Sequence, residues 1–342
     1  MKRLLVIVGI LLIAAYVASA QINTNVLLYD ATNGEAVTYH VDYYGEFKLI
    51  RRYDPGTFSP NWTHIVNVVS PSSSYLLYYN AANGAASIGK LDEAGAHHAL
   101  REFAPGSFTT GWTHVVSYFD GFIFYNTQTG ALAYVRLDSN LTPQTIKSYA
   151  AGAAQSGTAK NRLGRILTEN PRAVVFNPGW THLVSTYNGM LFYNSRTGQG
   201  EFGRFDTRTG EYTNMKLYAG GVFGPLTGGY ALGWTHVVWS PTGILFYNER
   251  SSRVQIGRID TTGEFTKINS YDAGAFATGW THIANTRNGI FFYSSKDGFR
   301  LAVGRIDDKG LFTTVATNYV PPAYKGGTNY RPLTHLVEAV PR

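Results

Sequence analysis

Cysteine is absent from this chain of 342 residues, and charged side chains are scarce. Without cysteine the fold can contain no disulfide bond, no thiol nucleophile and no lipid attached to an N-terminal cysteine. Charged residues make up 15% of the sequence, and the basic ones are scattered rather than gathered in a stripe. This distribution argues against a nucleic-acid partner.

Several catalytic signatures are also missing. The sequence has no Gly-x-Ser-x-Gly elbow, no phosphate-binding loop and no His-Glu-x-x-His motif. Four acids, Asp120, Glu169, Glu201 and Glu338, fall outside the pattern that repeats along the chain, and nothing in the sequence pairs them. We therefore expect a protein that is not an enzyme, with no catalytic residue, no cofactor and no metal ion.

The first twenty residues resemble an export signal. Lys2 and Arg3 precede an apolar run from 4 to 17, and Ala18-Ser19-Ala20 has the small-x-small pattern of a cleavage site. The run is short for a membrane span, although an uncleaved N-terminal anchor is the alternative, and no later segment approaches spanning length. We expect cleavage near Ala20-Gln21, a secreted or periplasmic location, and a mature chain without a membrane span.

A motif repeats with a period of about fifty residues. Trp-Thr-His starts at five positions, and a degenerate copy, Leu-Thr-His, closes the series. The copies begin at Trp62, Trp112, Trp180, Trp234, Trp280 and Leu333. Each is followed by an aromatic run, typically ending in Tyr-Asn, then by a segment such as Gly257-Arg258-Ile259-Asp260, then by a fourth such as 265–271. Such a period with four strand-like segments per unit predicts a β-propeller.

The two ends of the chain predict how the ring closes. The repeat starts with a second segment, Val26 to Tyr29, and finishes with a lone first segment, Leu333 to Val337. Five complete units and two complementary fragments predict an all-β, six-bladed propeller of four-stranded antiparallel blades, in which the C-terminal strand completes the N-terminal blade. The domains are then a signal peptide, 1–20, and one propeller, 21–342, with an insertion at about 150–178.

The repeated aromatic and imidazole side chains are the candidate ligand-binding residues. They are Trp62, Trp112, Trp180, Trp234, Trp280, His64, His114, His182, His236, His282, His335, Tyr79, Tyr125, Tyr193 and Tyr247. Trp and Tyr could contact a sugar, and His could gather an anion or a metal, but packing between blades is the favoured explanation of Trp and His. The recurrent basic residue of the third segment could likewise pair with carboxylates or receive an anion.

The insertion at 150–178 is the one large irregularity. It is locally basic, carrying Lys160, Arg162, Arg165 and Arg172 against Glu169. Smaller enlargements at 219–232 and 320–332 occupy the same connection of their units, so all three should open on one face. This face could bind a protein partner through 150–178, or the insertion could be a surface loop without one.

The Gly-Trp-Thr-His, Phe-Tyr-Asn and Gly-Arg-Ile-Asp signatures resemble a tandem repeat of secreted bacterial proteins. In architecture the chain is similar to lectin propellers of the tectonin and tachylectin type, a resemblance that covers nearly the whole mature chain. It implies a multivalent module that binds a glycan or another cell-surface ligand without catalysis. A scaffold for protein interactions and a propeller hydrolase or lyase are the alternatives.

Overall fold

The computed structural model describes residues 24–69, 74–151, 176–224, 233–296, 300–319 and 335–339. Within these ranges the secondary structure consists of 24 β-strands in six four-stranded sheets. The described residues include no helix that is long and apolar enough to cross a membrane. The chain is an all-β, six-bladed propeller.

Each sheet is one blade, numbered here in chain order. Blade 1 consists of β1 (Thr24–Tyr29), β2 (Ala36–Val41), β3 (Phe47–Tyr53) and β24 (His335–Ala339). Blade 2 consists of β4 (His64–Val69), β5 (Ser74–Tyr79), β6 (Ala86–Leu91) and β7 (His97–Phe103). Blade 3 consists of β8 (His114–Tyr118), β9 (Gly121–Tyr125), β10 (Leu132–Leu137) and β11 (Pro143–Tyr149). Blade 4 consists of β12 (His182–Thr186), β13 (Gly189–Tyr193), β14 (Gly200–Phe205) and β15 (Tyr212–Tyr218). Blade 5 consists of β16 (His236–Ser240), β17 (Gly243–Tyr247), β18 (Val254–Ile259) and β19 (Phe265–Tyr271). Blade 6 consists of β20 (His282–Thr286), β21 (Gly289–Ser294), β22 (Arg300–Ile306) and β23 (Phe312–Tyr319).

The C-terminal strand completes the first blade, which confirms the predicted closure. β24 pairs antiparallel with β1, and this register places Tyr29 opposite His335 and Val26 opposite Glu338. The six inner strands, β24, β4, β8, β12, β16 and β20, contact one another in a closed cycle around a central channel. Closing the ring in this way removes the open ends that a linear array would have to cap.

The hydrophobic core lies between the blades rather than inside any one of them. Six clusters of buried side chains each join two neighbouring blades. The second strand of each blade supplies both sides of its sheet, because alternate residues point to opposite faces. Leu27 and Tyr29, for example, pack towards blade 2, whereas Val26 and Leu28 pack towards blade 6.

The glycine of the Gly-Arg-Ile-Asp segment has a packing role. At this point the pairing of the third and fourth strands shifts register, as between Phe202 and Gly203. A Cβ atom at Gly203 would overlap the ring of Tyr212, and one at Gly304 would overlap Phe312. Glycine therefore lets the first side chain of the outer strand lie flat on the neighbouring strand.

Candidate functional site

The repeated histidines form hydrogen bonds from each blade to the next. His64 Nε2 lies 3.1 Å from the carbonyl oxygen of Thr113, and His114 Nε2 lies 3.1 Å from that of Thr181. The same contact joins His182 to Thr235 at 3.0 Å and His236 to Thr281 at 3.1 Å. These bonds link blades 2 to 6 in one direction around the channel.

The chemistry of these bonds fixes the state of each ring. A carbonyl oxygen only accepts, so Nε2 carries the hydrogen, and Nδ1 lies 2.9 Å from the hydroxyl oxygen of the preceding threonine in His64 and in His182. Burial lowers the pKa of His64, His114 and His236, and lowers that of His182 to about 4. The described imidazoles in these bonds are therefore neutral at pH 7, with both nitrogens engaged. Among the described residues, no group of three His, Cys, Asp or Glu side chains could hold a metal ion.

The predicted aromatic residues lie in the core between blades. Trp62, Trp180, Trp234 and Trp280 are buried, and Trp112 is partly buried. Tyr79, Tyr125, Tyr193 and Tyr247 have no exposed surface. The hydroxyl of Tyr79 donates to Thr109 O at 2.7 Å, and that of Tyr125 to Asn177 O at the same distance, so each holds the loop that leads into the next blade. Ligand binding by these side chains stays a prediction. The same is true of His335, because the structure describes β24 by its backbone alone.

The other repeated polar residues are also engaged within the fold. The Asn of each Tyr-Asn pair opens a turn, since Asn80 Oδ1 accepts from the amides of Ala82 and Asn83. The recurrent arginine bridges blades at the opposite face from the histidines: Arg258 donates to Thr242 O of its own blade at 2.7 Å and to Asp308 O of blade 6 at 2.6 Å.

The same arginine bridge recurs around the ring. Arg204 joins blade 4 to Thr261 of blade 5, and Arg305 joins blade 6 to Tyr43 of blade 1. In blade 3, Arg136 reaches Thr207 O of blade 4 and also pairs with Asp120, one of the acids outside the repeat. Asp120 is thereby accounted for by the fold.

The channel contains a cavity of about 660 Å³, which we call the cup. Its wall is an apolar collar from the second and third residues of the inner strands, such as Val115 and Val116. Its polar and aromatic lining comes from the ends of these strands and the turns that follow them, at the face opposite the histidines. This lining consists of Asn67, Ser117, Phe119, Ser185, Thr186, Tyr187, Trp239, Asn285 and Arg287. A largely apolar cavity of this volume with a few polar groups is typical of a small-molecule site.

The fourth residue of each inner strand is where the repeat breaks. This position lines the cup as Asn67, Ser117, Ser185, Trp239 and Asn285 in blades 2 to 6. The corresponding residue of the sequence in β24 is Glu338, whose backbone lies opposite Val26. These residues do not recur, so the repeat does not reveal them; their signal in the sequence is a position of variable polarity three residues after each histidine.

Aromatic side chains form one side of the cup's rim. Tyr187 is 71% exposed, and its ring meets that of Trp239 edge to face with centroids 4.5 Å apart. Phe119 is also exposed and adopts a positive φ of 49° in the turn after β8. In the same lining, Oδ1 of Asn285 is buried and has no hydrogen-bond partner among the described residues.

The predicted insertion at 150–178 lies mostly outside the described residues. Its described ends are Ala150, Ala151 and 176–178, at the face that carries the histidines. The enlargement at 320–332 and most of that at 219–232 also fall outside. A partner-binding role for these segments stays a prediction.

Comparison with known proteins gives structural likeness without a family. No protein-family model and no curated protein matches the chain. A periplasmic gluconolactonase from Pseudomonas aeruginosa is similar in structure, with a TM-score of 0.59 and 14% identity over 93% of this chain and 100% of that one. A candidate 6-phosphogluconolactonase from Bacteroides fragilis has a TM-score of 0.55 and 14% identity over 89% of this chain and 97% of that one. Another from Bacteroides uniformis has a TM-score of 0.54 and 14% identity over 88% of this chain and 100% of that one.

These comparisons correct two predictions from the sequence. At this level of identity the likeness shows the propeller fold. The similar structures bear the names of gluconolactonases rather than of lectins, which overturns the expected lectin-like function and the expectation that the protein is not an enzyme. The burial of the repeated Trp and Tyr side chains gives the physical reason: the residues predicted to bind sugar pack the blades together.

Proposed function

We propose that this protein is a hydrolase that opens a small cyclic ester of the gluconolactone type, bound in the cup. The observation that carries the proposal is the fourth position of the inner strands, where an otherwise regular wall becomes polar and aromatic around one cavity. The names of the similar propellers supply the reaction class.

The cup's lining suits a polyhydroxylated ring. The indole of Trp239 and the phenol of Tyr187 offer apolar surface to one face of a sugar-derived ring. The hydroxyls of Ser117 and Ser185 can exchange hydrogen bonds with its hydroxyl groups. The apolar collar below them offers few groups to which water could hydrogen-bond.

Hydrolysis of the ring ester requires little covalent help from the protein. Water adds to the carbonyl carbon, the ring C–O bond breaks, and the proton from water ends on the former ring oxygen. Side-chain N–H groups of Asn67 and Asn285 can stabilise the negative charge that develops on the carbonyl oxygen. Arg287 is the charged residue of the described lining and adds positive potential at the rim.

The direct test is a hydrolysis assay with glucono-δ-lactone, followed by acid release at constant pH and corrected for spontaneous opening. Trp239→Ala should lower kcat/KM roughly fivefold, since a lost ring contact is worth about 1 kcal/mol. Glu338→Gln tests the acid that the sequence carries at the corresponding position of β24. If Glu338 is a general base, its replacement should lower kcat/KM more than Trp239→Ala does.

Tyr44→Ala is the matched control. Tyr44 is an exposed aromatic side chain outside the cup's lining, and its removal should leave turnover unchanged. Absence of turnover above the spontaneous rate in the wild-type protein, across glucono- and 6-phosphogluconolactone, would contradict the proposal.

We also propose that the enzyme acts outside the cytoplasm. The export signal predicted at 1–20 lies outside the described residues, and the similar gluconolactonase from Pseudomonas aeruginosa is periplasmic. The protein recovered from a bacterial periplasm should have the intact mass of a chain that begins at Gln21. A protein retaining 1–20 in the membrane fraction would contradict this location.

A further inference from the structure

A second cavity, of about 220 Å³, lies between blades 5 and 6. It shares no lining residue with the cup. Aromatic rings and methyl groups form most of its wall. The principal lining residues are Tyr271, Phe276, Trp280, Phe292, Ala302 and Phe312.

Ala302 lines this cavity and, like Ala133 in blade 3, is small where blades 4 and 5 have long side chains. Ala302 in β22 pairs with Phe292, just as Gln255 pairs with Phe246 in blade 5 and Glu201 with Phe192 in blade 4. The long side chains of Gln255 and Glu201 are buried at that position of their blades. In blade 6 the alanine side chain ends at Cβ, and the space beyond it is part of the cavity.

The rings around the cavity pack against one another and against Arg300. Phe276 and Phe312 lie with centroids 4.6 Å apart, and Trp280 and Phe292 with centroids 5.6 Å apart. The guanidinium carbon of Arg300 lies 4.4 Å from the centroid of Trp280. A wall that is already ordered loses little conformational entropy when a ligand binds.

We propose that this cleft is a binding site for one small apolar ring compound, between benzene and indole in size. An engineered apolar cavity of about 150 Å³ in another protein binds benzene, so a cavity of this volume admits a fused bicyclic ring. Thr314 and Thr317 in the lining can bond one polar group at the edge of the ring. The proposal is independent of hydrolysis in the cup.

The test is titration of the full mature chain with indole, followed by ligand-observed NMR and by the thermal unfolding midpoint. Binding to the native state should raise that midpoint as the indole concentration rises. Ala302→Gln introduces the residue of blade 5 and should lower indole affinity at least roughly tenfold, which is about 1.4 kcal/mol. Ala302→Val introduces the residue found at this position in blade 1 and should give a smaller loss.

Ala133→Gln is the matched control, because Ala133 occupies the corresponding position of blade 3, opposite Phe124. It should leave indole binding unchanged. If neither Ala302 variant weakens binding, or if the wild-type protein does not respond to indole or to benzene, the proposed site is overturned.

Discussion

At the scale of single residues, the repeated polar groups serve the fold, whereas each exception to the repeat has its own surroundings. Thr63 illustrates the first case, since its hydroxyl contacts Nδ1 of His64 and also accepts from the amide of Ala81. Glu201 illustrates the second, because it stands in blade 4 where blades 2 and 3 have Ser87 and Ala133. A sequence repeat therefore identifies the structural residues, and its exceptions identify those that need another explanation.

Glu201 should make stability depend on pH. Burial raises its pKa to about 7, and hydrogen bonds with Asn214 and Tyr212 offset only part of the effect. The folded state thus holds a proton between pH 4.5 and about 7 that the unfolded state has lost, so stability falls as pH rises through this window. Above it the penalty reaches up to about 3 kcal/mol.

We expect Glu201→Gln to remove this dependence. The free energy of unfolding in urea should rise by roughly 1–3 kcal/mol at pH 8 and change little at pH 4.5, since the amide does not ionise. Glu211→Gln, an exposed side chain paired with Lys147, serves as the control and should change it by less than about 1 kcal/mol. A gain that is equal at both pH values would contradict the assignment.

At the scale of elements, the sequence predicts strands well because each has its own signature. The fourth segment predicted at 265–271 is β19. Asp92 and Gly95 close the turn after β6, with a hydrogen bond of 2.9 Å and a φ of 71° at the glycine. The cup could not be predicted in the same way. Val115 and Ser117 read as ordinary strand residues, and only the closed ring brings them to one cavity with residues from the other blades.

The β24–β1 pairing can be tested with cysteines, because the chain has none of its own. The register places Leu27 opposite Val337. The double variant Leu27→Cys with Val337→Cys should form a disulfide under mild oxidation, detected as a loss of two free thiols within the monomer.

The control moves one cysteine by a single residue. Leu28 lies on the opposite face of the sheet from Leu27, so Leu28→Cys with Val337→Cys should stay reduced under the same conditions. Equal oxidation of the two pairs would contradict the register.

At the scale of the whole molecule, the two faces of the disc differ in what they carry. The histidine bonds and both described ends of the 150–178 insertion lie on one face, while the arginine bridges and the rim of the cup lie on the other. The prediction that the three enlarged connections share a face stays a prediction, because most of their residues lie outside the described ranges. That prediction assigned the recognition face by loop length, whereas the cup opens among the short turns that follow the inner strands.

Removal of the insertion should therefore spare the proposed activity. A Gly-Ser linker in place of 152–175 leaves both described ends of the connection, Ala151 and Phe176, in the chain. We expect kcat/KM for glucono-δ-lactone within about twofold of the wild-type value, because the linker is remote from the cup. A loss of more than about tenfold, in a variant that still unfolds cooperatively, would place the site on the histidine face.

The pairing of the last strand with the first has a consequence for biogenesis. A chain that crosses a membrane pore with its N-terminus leading presents β1 early and β24 last. The first blade must wait with an unpaired edge until the final residues emerge, so the ring can shut only once translocation is complete.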